Sequence, residues 1–116
     1  VDSTADLIWS VDPVSFGLQT FNRSLFDYFA TFRKEPIKAG DTPADLLPTA
    51  EYAALWNSMY TRALREGSFM VEYLVSQGTR TLELNFNILK RNGVVFGISV
   101  FGKDITERKQ REKASL

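Results

Sequence analysis

Near the start of the chain apolar residues alternate with others at period two, with Leu7, Trp9 and Val11 on one side and Ile8, Ser10 and Asp12 on the other. This is the pattern of a β-strand whose first set faces a core. Asp12-Pro13-Val14-Ser15 ends it, since proline cannot continue a central strand and aspartate bonds its own following backbone. The chain then returns as a predicted second strand over Phe16–Phe21. Asn22 has the side chain of a helix N-cap, and Leu25, Phe26 and Phe29 recur behind it at helical spacing. From Thr31 to Thr49 the punctuation of Pro36, Gly40, Asp41, Pro43 and Pro48 allows only short helical turns, around Ala44 to Leu47. This loosely patterned stretch reads as an ordinary surface connection. Thr49 caps a long helix with Tyr52, Leu55, Trp56, Met59, Tyr60, Ala63 and Leu64 on one broad face, ended by Gly67.

Strand periodicity returns over Phe69–Ser76 and Thr79–Lys90, joined near Gln77-Gly78, and Arg91-Asn92-Gly93 turns the chain into a last strand. Alternation puts Phe69, Val71, Tyr73, Val75, Leu82, Leu84, Phe86 and Ile88 inside, with Glu72, Glu83, Asn85 and Asn87 outside. Carried through the Asn92-Gly93 turn, it points Val95, Gly97, Ser99 and Phe101 inward and leaves Val94, Phe96, Ile98 and Val100 outside. An outer stripe so apolar predicts a covered surface, with Phe96, Ile98 and Val100 facing a second subunit or a flanking helix. The alternative is the fringe of a twisted sheet shielded by its own tail. At the strand's end Asp104 and Glu107 have capping-box spacing, which predicts a helix from Ile105.

The run Gly102-Lys103-Asp104-Ile105-Thr106-Glu107-Arg108-Lys109, preceded by a glycine-punctuated hairpin, resembles the C-terminal signature of PAS sensory domains, and the order of elements is compatible with that family over nearly the whole chain. The resemblance implies an α+β PAS fold: a five-stranded antiparallel sheet in the order 2-1-5-4-3, helices on one face, and a C-terminal signalling helix. Residues 1–104 would form the PAS core and 105–116 the start of that helix, with Asp104, Ile105 and Thr106 relaying strand movement to it. Ile105 and Leu116 share a face of that helix, but the seam is too polar for a strong coiled coil. PAS domains commonly dimerise through a helix before the first strand, of which Val1 to Asp6 would be a remnant.

With 116 residues the chain is one domain, and its beginning at Val1 without a targeting pattern reads as a piece of a longer protein. Lys plus Arg and Asp plus Glu balance at 14 each, so there is no basic field for nucleic acid. No apolar run is long enough to span a membrane, and a cytoplasmic location is expected. Cysteine and histidine are both absent, which removes thiolate or imidazole metal ligands, haem ligation, a flavin-adduct cysteine and histidine-dependent nucleophiles. No haem, flavin or metal is therefore expected at a dedicated site.

A small-molecule pocket is predicted between sheet and helices, where Trp9, Trp56, Tyr60, Leu84 and Phe86 would supply contact area while Tyr73 and Ser99 orient the ligand. The competing reading is a plain core whose hydroxyls, including Ser10 and Thr20, satisfy one another. Glu72 and Glu83 lie on adjacent strands, but beside Arg80 and Lys90 they read as solvated ion pairs rather than a general acid and base. The function expected is that of a non-catalytic sensory or relay domain in a larger signalling protein, such as a sensor histidine kinase or a diguanylate cyclase. It would act as a homodimer coupled to a C-terminal output domain. The alternatives are a small cone-shaped isomerase or dehydratase and a constitutive dimerisation module that binds nothing.

Overall fold

The computed structural model describes residues 6–115; the N-terminal helix remnant before Asp6 and the position of Leu116 lie outside the described residues. The elements run β1 (Leu7–Val11), β2 (Leu18–Phe21), α1 (Arg23–Ala30), α2 (Pro43–Leu46), α3 (Ala50–Glu66), β3 (Phe69–Val75), β4 (Arg80–Arg91), β5 (Val94–Asp104) and α4 (Thr106–Ala114). The strands form one antiparallel sheet in the order β2-β1-β5-β4-β3, the order expected. Side chains of α1, α2 and α3 meet the inner face, and the most deeply buried positions there are Phe86, Leu84, Ile98, Val11 and Val100.

Local chemistry accounts for most boundaries. Asn22 Oδ1 accepts the backbone N–H of Leu25, and Thr49 Oγ1 accepts that of Tyr52, so both predicted N-caps start their helices. Gly67 closes α3 at a φ of 87°, which a side chain would resist. The hairpin β4–β5 turns through Asn92 and Gly93, both at positive φ, as a two-residue turn matched to strand twist requires.

Four expectations need correction. The second strand begins at Leu18, not Phe16, because Phe16 takes a φ of 63° in the turn, where Asp12 Oδ2 accepts the N–H groups of Val14 and Ser15. The apolar face of α3 is narrower than predicted: Ala53, Trp56, Met59, Tyr60 and Ala63 are buried, whereas Tyr52, Leu55 and Leu64 look outward. The stretch between α1 and α3 is pinned rather than loose. Ile37 and Asp41 are buried, the Asp41 carboxylate holds the backbone N–H and ammonium of Lys38, and Leu18 pairs with Gly40 and Asp41 through backbone hydrogen bonds. Thr42 and Asp45 form a capping box that starts α2 at Pro43.

The fourth correction has the widest consequence. The pairs Leu89↔Gly97 and Lys90↔Val95 leave Phe96 as an extra residue, a β-bulge just beyond the Asn92-Gly93 turn. One extra residue inverts the phase of everything that follows. Ile98 and Val100, predicted outside as a dimer face, stand opposite Ile88 and Phe86 and are 0% and 1% exposed. Ser99 and Phe101, predicted inside, stand opposite Asn87 and Asn85 on the outer face.

Candidate functional site

Between the inner face of the sheet and helices α1, α2 and α3 lies a cavity of about 80 Å³. From the sheet it is lined by Leu7, Trp9, Val11, Leu18, Tyr73, Val75, Leu82 and Leu84, and from the helices by Leu25, Tyr28, Phe29, Pro43, Leu46, Trp56 and Tyr60. Among the described residues no charged side chain lines it. A wider, shallower cleft of about 320 Å³ adjoins it and shares Tyr28, Phe32, Leu47, Tyr73 and Val75 as a common wall.

Of the pocket residues nominated from the sequence, Trp9, Trp56, Tyr60, Tyr73 and Leu84 line this cavity. Phe86 does not: it lies beneath, fully buried and stacked on Phe69 at 4.6 Å with the rings 5° from parallel. Ser99 is on the opposite face of the sheet through the shifted phase of β5, so it cannot orient a ligand here. Phe16 and Tyr28 were missed. Phe16 enters the wall only because of its positive φ, and its ring centroid lies 5.2 Å from that of Tyr60.

The aromatic residues form a connected cluster with two internal hydrogen bonds. Trp9 Nε1 donates to Tyr60 Oη at 2.9 Å, and Trp56 Nε1 donates to Tyr73 Oη at 3.1 Å. The Trp56 ring lies 5.7 Å from both Trp9 and Tyr60 and 5.4 Å from Tyr73. Burial pushes the Tyr60 hydroxyl far above its ordinary range, only partly opposed by the Trp9 hydrogen bond. Burial also raises Tyr73 and Tyr28. All three phenols therefore stay neutral at physiological pH. The hydroxyls of Ser10 and Thr20, by contrast, satisfy each other at 2.8 Å.

At the end of β5 the three residues predicted as a relay, Asp104, Ile105 and Thr106, form a hydrogen-bonded junction. Asp104 Oδ2 accepts Arg80 Nε at 3.0 Å and Nη2 at 2.7 Å, while its Oδ1 accepts the Thr106 N–H at 2.9 Å. Thr106 Oγ1 in turn accepts the Thr81 N–H at 2.9 Å, and the Ile105 N–H donates to the Thr81 carbonyl at 2.9 Å. Partial burial works to raise the Asp104 carboxyl, but the hydrogen bonds from Thr106 and Arg80 outweigh it and hold the group below its usual range. The predicted capping box is not what forms. Helix α4 starts at Thr106 with Ile105 at the N-cap position, and Asp104 reaches over it to the first helical N–H.

Glu72 and Glu83 are direct cross-strand partners on the outer face, a like-charge pair. Their cations come from α4 rather than from Arg80 and Lys90: Lys109 Nζ lies 3.2 Å from Glu72 and Arg108 Nη2 lies 3.5 Å from Glu83. Elsewhere on that face Ile8 stands opposite Phe101, and both are partly exposed along with Phe96. Among the described residues no helix is long and apolar enough to cross a membrane, and no three His, Cys, Asp or Glu residues group as metal ligands.

No family model and no curated protein matches the sequence. Solved structures do. The PAS domain of the Cronobacter turicensis quorum-sensing receptor RpfR, in complex with C12:0, superposes with a TM-score of 0.64 at 19% identity, over 91% of this chain and 99% of that one. The chain has the PAS fold. The PAS domain of Bordetella pertussis BvgS covers all of the chain, 100%, and 89% of its own, with a TM-score of 0.58 at 21% identity. The sensor region of a sensor histidine kinase matches at a TM-score of 0.62 and 15% identity, over 94% of this chain and 43% of that one. In PAS terms the cavity lies between the sheet and the helices that cover it, and the Asp104–Thr106 junction lies where the last strand hands over to the following helix.

Proposed function

We propose that this PAS domain is a non-catalytic sensor in which an apolar small molecule, held between the sheet and α1–α3, biases the junction that carries α4. The observation that carries this reading is the place of Thr81 and Leu82. Leu82 lines the cavity and is the ladder partner of Asp104, while the neighbouring Thr81 accepts the Ile105 N–H at its carbonyl and donates its own N–H to Thr106 Oγ1. Occupation of the cavity thus acts one residue away from the base of α4. The absence of any carboxylate among the lining residues argues against the isomerase or dehydratase alternative, which needs an acid or base beside its substrate. A cavity with hydroxyl groups in its wall favours ligand binding over a purely constitutive dimerisation role.

In this reading the domain works in the cytoplasm as part of a longer signalling chain, with an output domain such as a histidine kinase or diguanylate cyclase behind α4. No haem, flavin adduct or metal takes part. The homodimer, if formed on the outer face, would use Ile8, Phe96 and Phe101 in place of Ile98 and Val100. The test is hydrogen exchange of the backbone amides from Ile105 to Ala114 with and without dodecanoic acid, the ligand class of the RpfR domain, and a panel of neutral apolar compounds. Binding in the cavity with altered exchange at α4 supports the proposal; binding that leaves α4 unchanged removes the relay.

A further inference from the structure

Among the described residues, Tyr28, Tyr60 and Tyr73, with the indoles of Trp9 and Trp56, are the only side chains in the cavity wall that carry a polar atom. An indole N–H can only donate. Trp9 and Trp56 each occupy an oxygen lone pair of a phenol, Tyr60 and Tyr73 respectively, so each phenolic hydrogen must turn elsewhere. Among the described residues neither hydroxyl has an acceptor for that hydrogen. Beside the hydroxyl of Tyr28, the arrangement leaves two neutral O–H donors, each oriented from behind by a tryptophan, in a cavity whose other walls are apolar.

We infer that the ligand is an uncharged apolar molecule bearing a carbonyl-type oxygen, which accepts the hydroxyl hydrogens of Tyr60 and Tyr73. This rests on the cavity being a ligand site, as proposed above. A buried carboxylate would find no cation among the lining residues, and a buried ammonium would find no anion there, only neutral phenols, two of which already accept from indoles. A ketone, aldehyde, ester or lactone meets both hydroxyls without bringing a charge. The small inner volume of about 80 Å³ then takes the polar end and its first carbons, and a longer chain continues towards the cleft beyond Tyr28 and Phe32.

The test uses the 116-residue chain and four probes of similar length: methyl hexyl ketone, the alkene in which a methylene group replaces its carbonyl oxygen, octanoate and octylammonium. Affinities are read by ligand-observed NMR. Two hydrogen bonds of ordinary net strength predict a ketone about tenfold tighter than the alkene. Tyr60→Phe should narrow that ratio to about threefold. If removing the acceptor of Trp9 unfolds that variant, as near-ultraviolet circular dichroism would show, Tyr73→Phe takes its role, and the wild-type ratio decides in either case. Equal binding of ketone and alkene, or octanoate binding above the ketone, overturns this inference and leaves a ligand-binding cavity standing. Failure of all four probes to bind overturns both.

Discussion

Replacing Asp104 by alanine removes three hydrogen-bonded contacts at once, two from the Arg80 guanidinium and one from the Thr106 N–H. The arginine pair is not worth its buried value, because the Arg80 and Asp104 side chains are 48% and 34% exposed. Solvent-exposed pairs contribute roughly 0.2–1 kcal/mol. Loss of a carboxylate that holds a helix-start N–H costs about 1 kcal/mol. The expected destabilisation at neutral pH is therefore about 1.5 kcal/mol, or a melting temperature lower by about 5–8 °C for a domain of this size. The pH dependence sharpens the test. The Asp104 carboxyl is held below its ordinary range in the folded state. Its contribution is thus present above the unfolded value of about 3.9 and is lost as pH falls through the folded one. Thermal unfolding of wild type and Asp104→Ala at neutral pH and again near pH 3 should show a gap that narrows on acidification. A variant as stable as wild type at neutral pH, or a gap indifferent to acid, would show that the contacts at this junction are not what holds it.

The clasp between α4 and the glutamates gives a second prediction: Arg108→Glu with Lys109→Glu leaves Glu72 and Glu83 facing added negative charge, and amide exchange along α4 should rise. High salt should loosen the wild-type helix in the same direction but less. Gly17→Ala places a methyl group 2.8 Å from the Gly40 carbonyl oxygen and 3.1 Å from its carbon, backbone atoms that cannot rotate away. It should cost about 1–3 kcal/mol by urea denaturation. Phe86→Ala empties the fully buried position stacked on Phe69 and should cost about 3–5 kcal/mol in the same assay.

The elements and their order were legible because each begins or ends on residues with one dominant local preference: Asn22 and Thr49 at helix starts, Gly67 at a helix end, Asn92-Gly93 at the hairpin. The phase of β5 was not legible. Counted from the Asn92-Gly93 turn, nothing local marks the bulge at Phe96 that turns Ile98 inward and Ser99 outward, and the one hint, Gly97 and Ser99 on the parity assigned to the core, was too weak to reset the register. Five of the seven nominated pocket residues line the cavity, since period-two strands and a helical stripe report inward direction directly. Phe16 escaped notice because its direction depends on a backbone angle that aromatic residues rarely adopt. The order of the segment around Asp41 likewise comes from contacts with β2 that no local pattern announces.

The chain contains two tryptophans, and both lie in the wall of the cavity with their N–H groups on tyrosine oxygens. Indole emission from these 116 residues therefore originates entirely at the cavity. A molecule entering the cavity would change the polarity around both indoles and disturb the phenols that accept from them, which would make the intensity and colour of the fluorescence a label-free measure of occupancy. The same fact complicates a routine measurement: with a ligand present, an unfolding curve followed by tryptophan emission would mix the melting of the domain with the emptying of its cavity, and the two would separate only against a probe that sees the backbone.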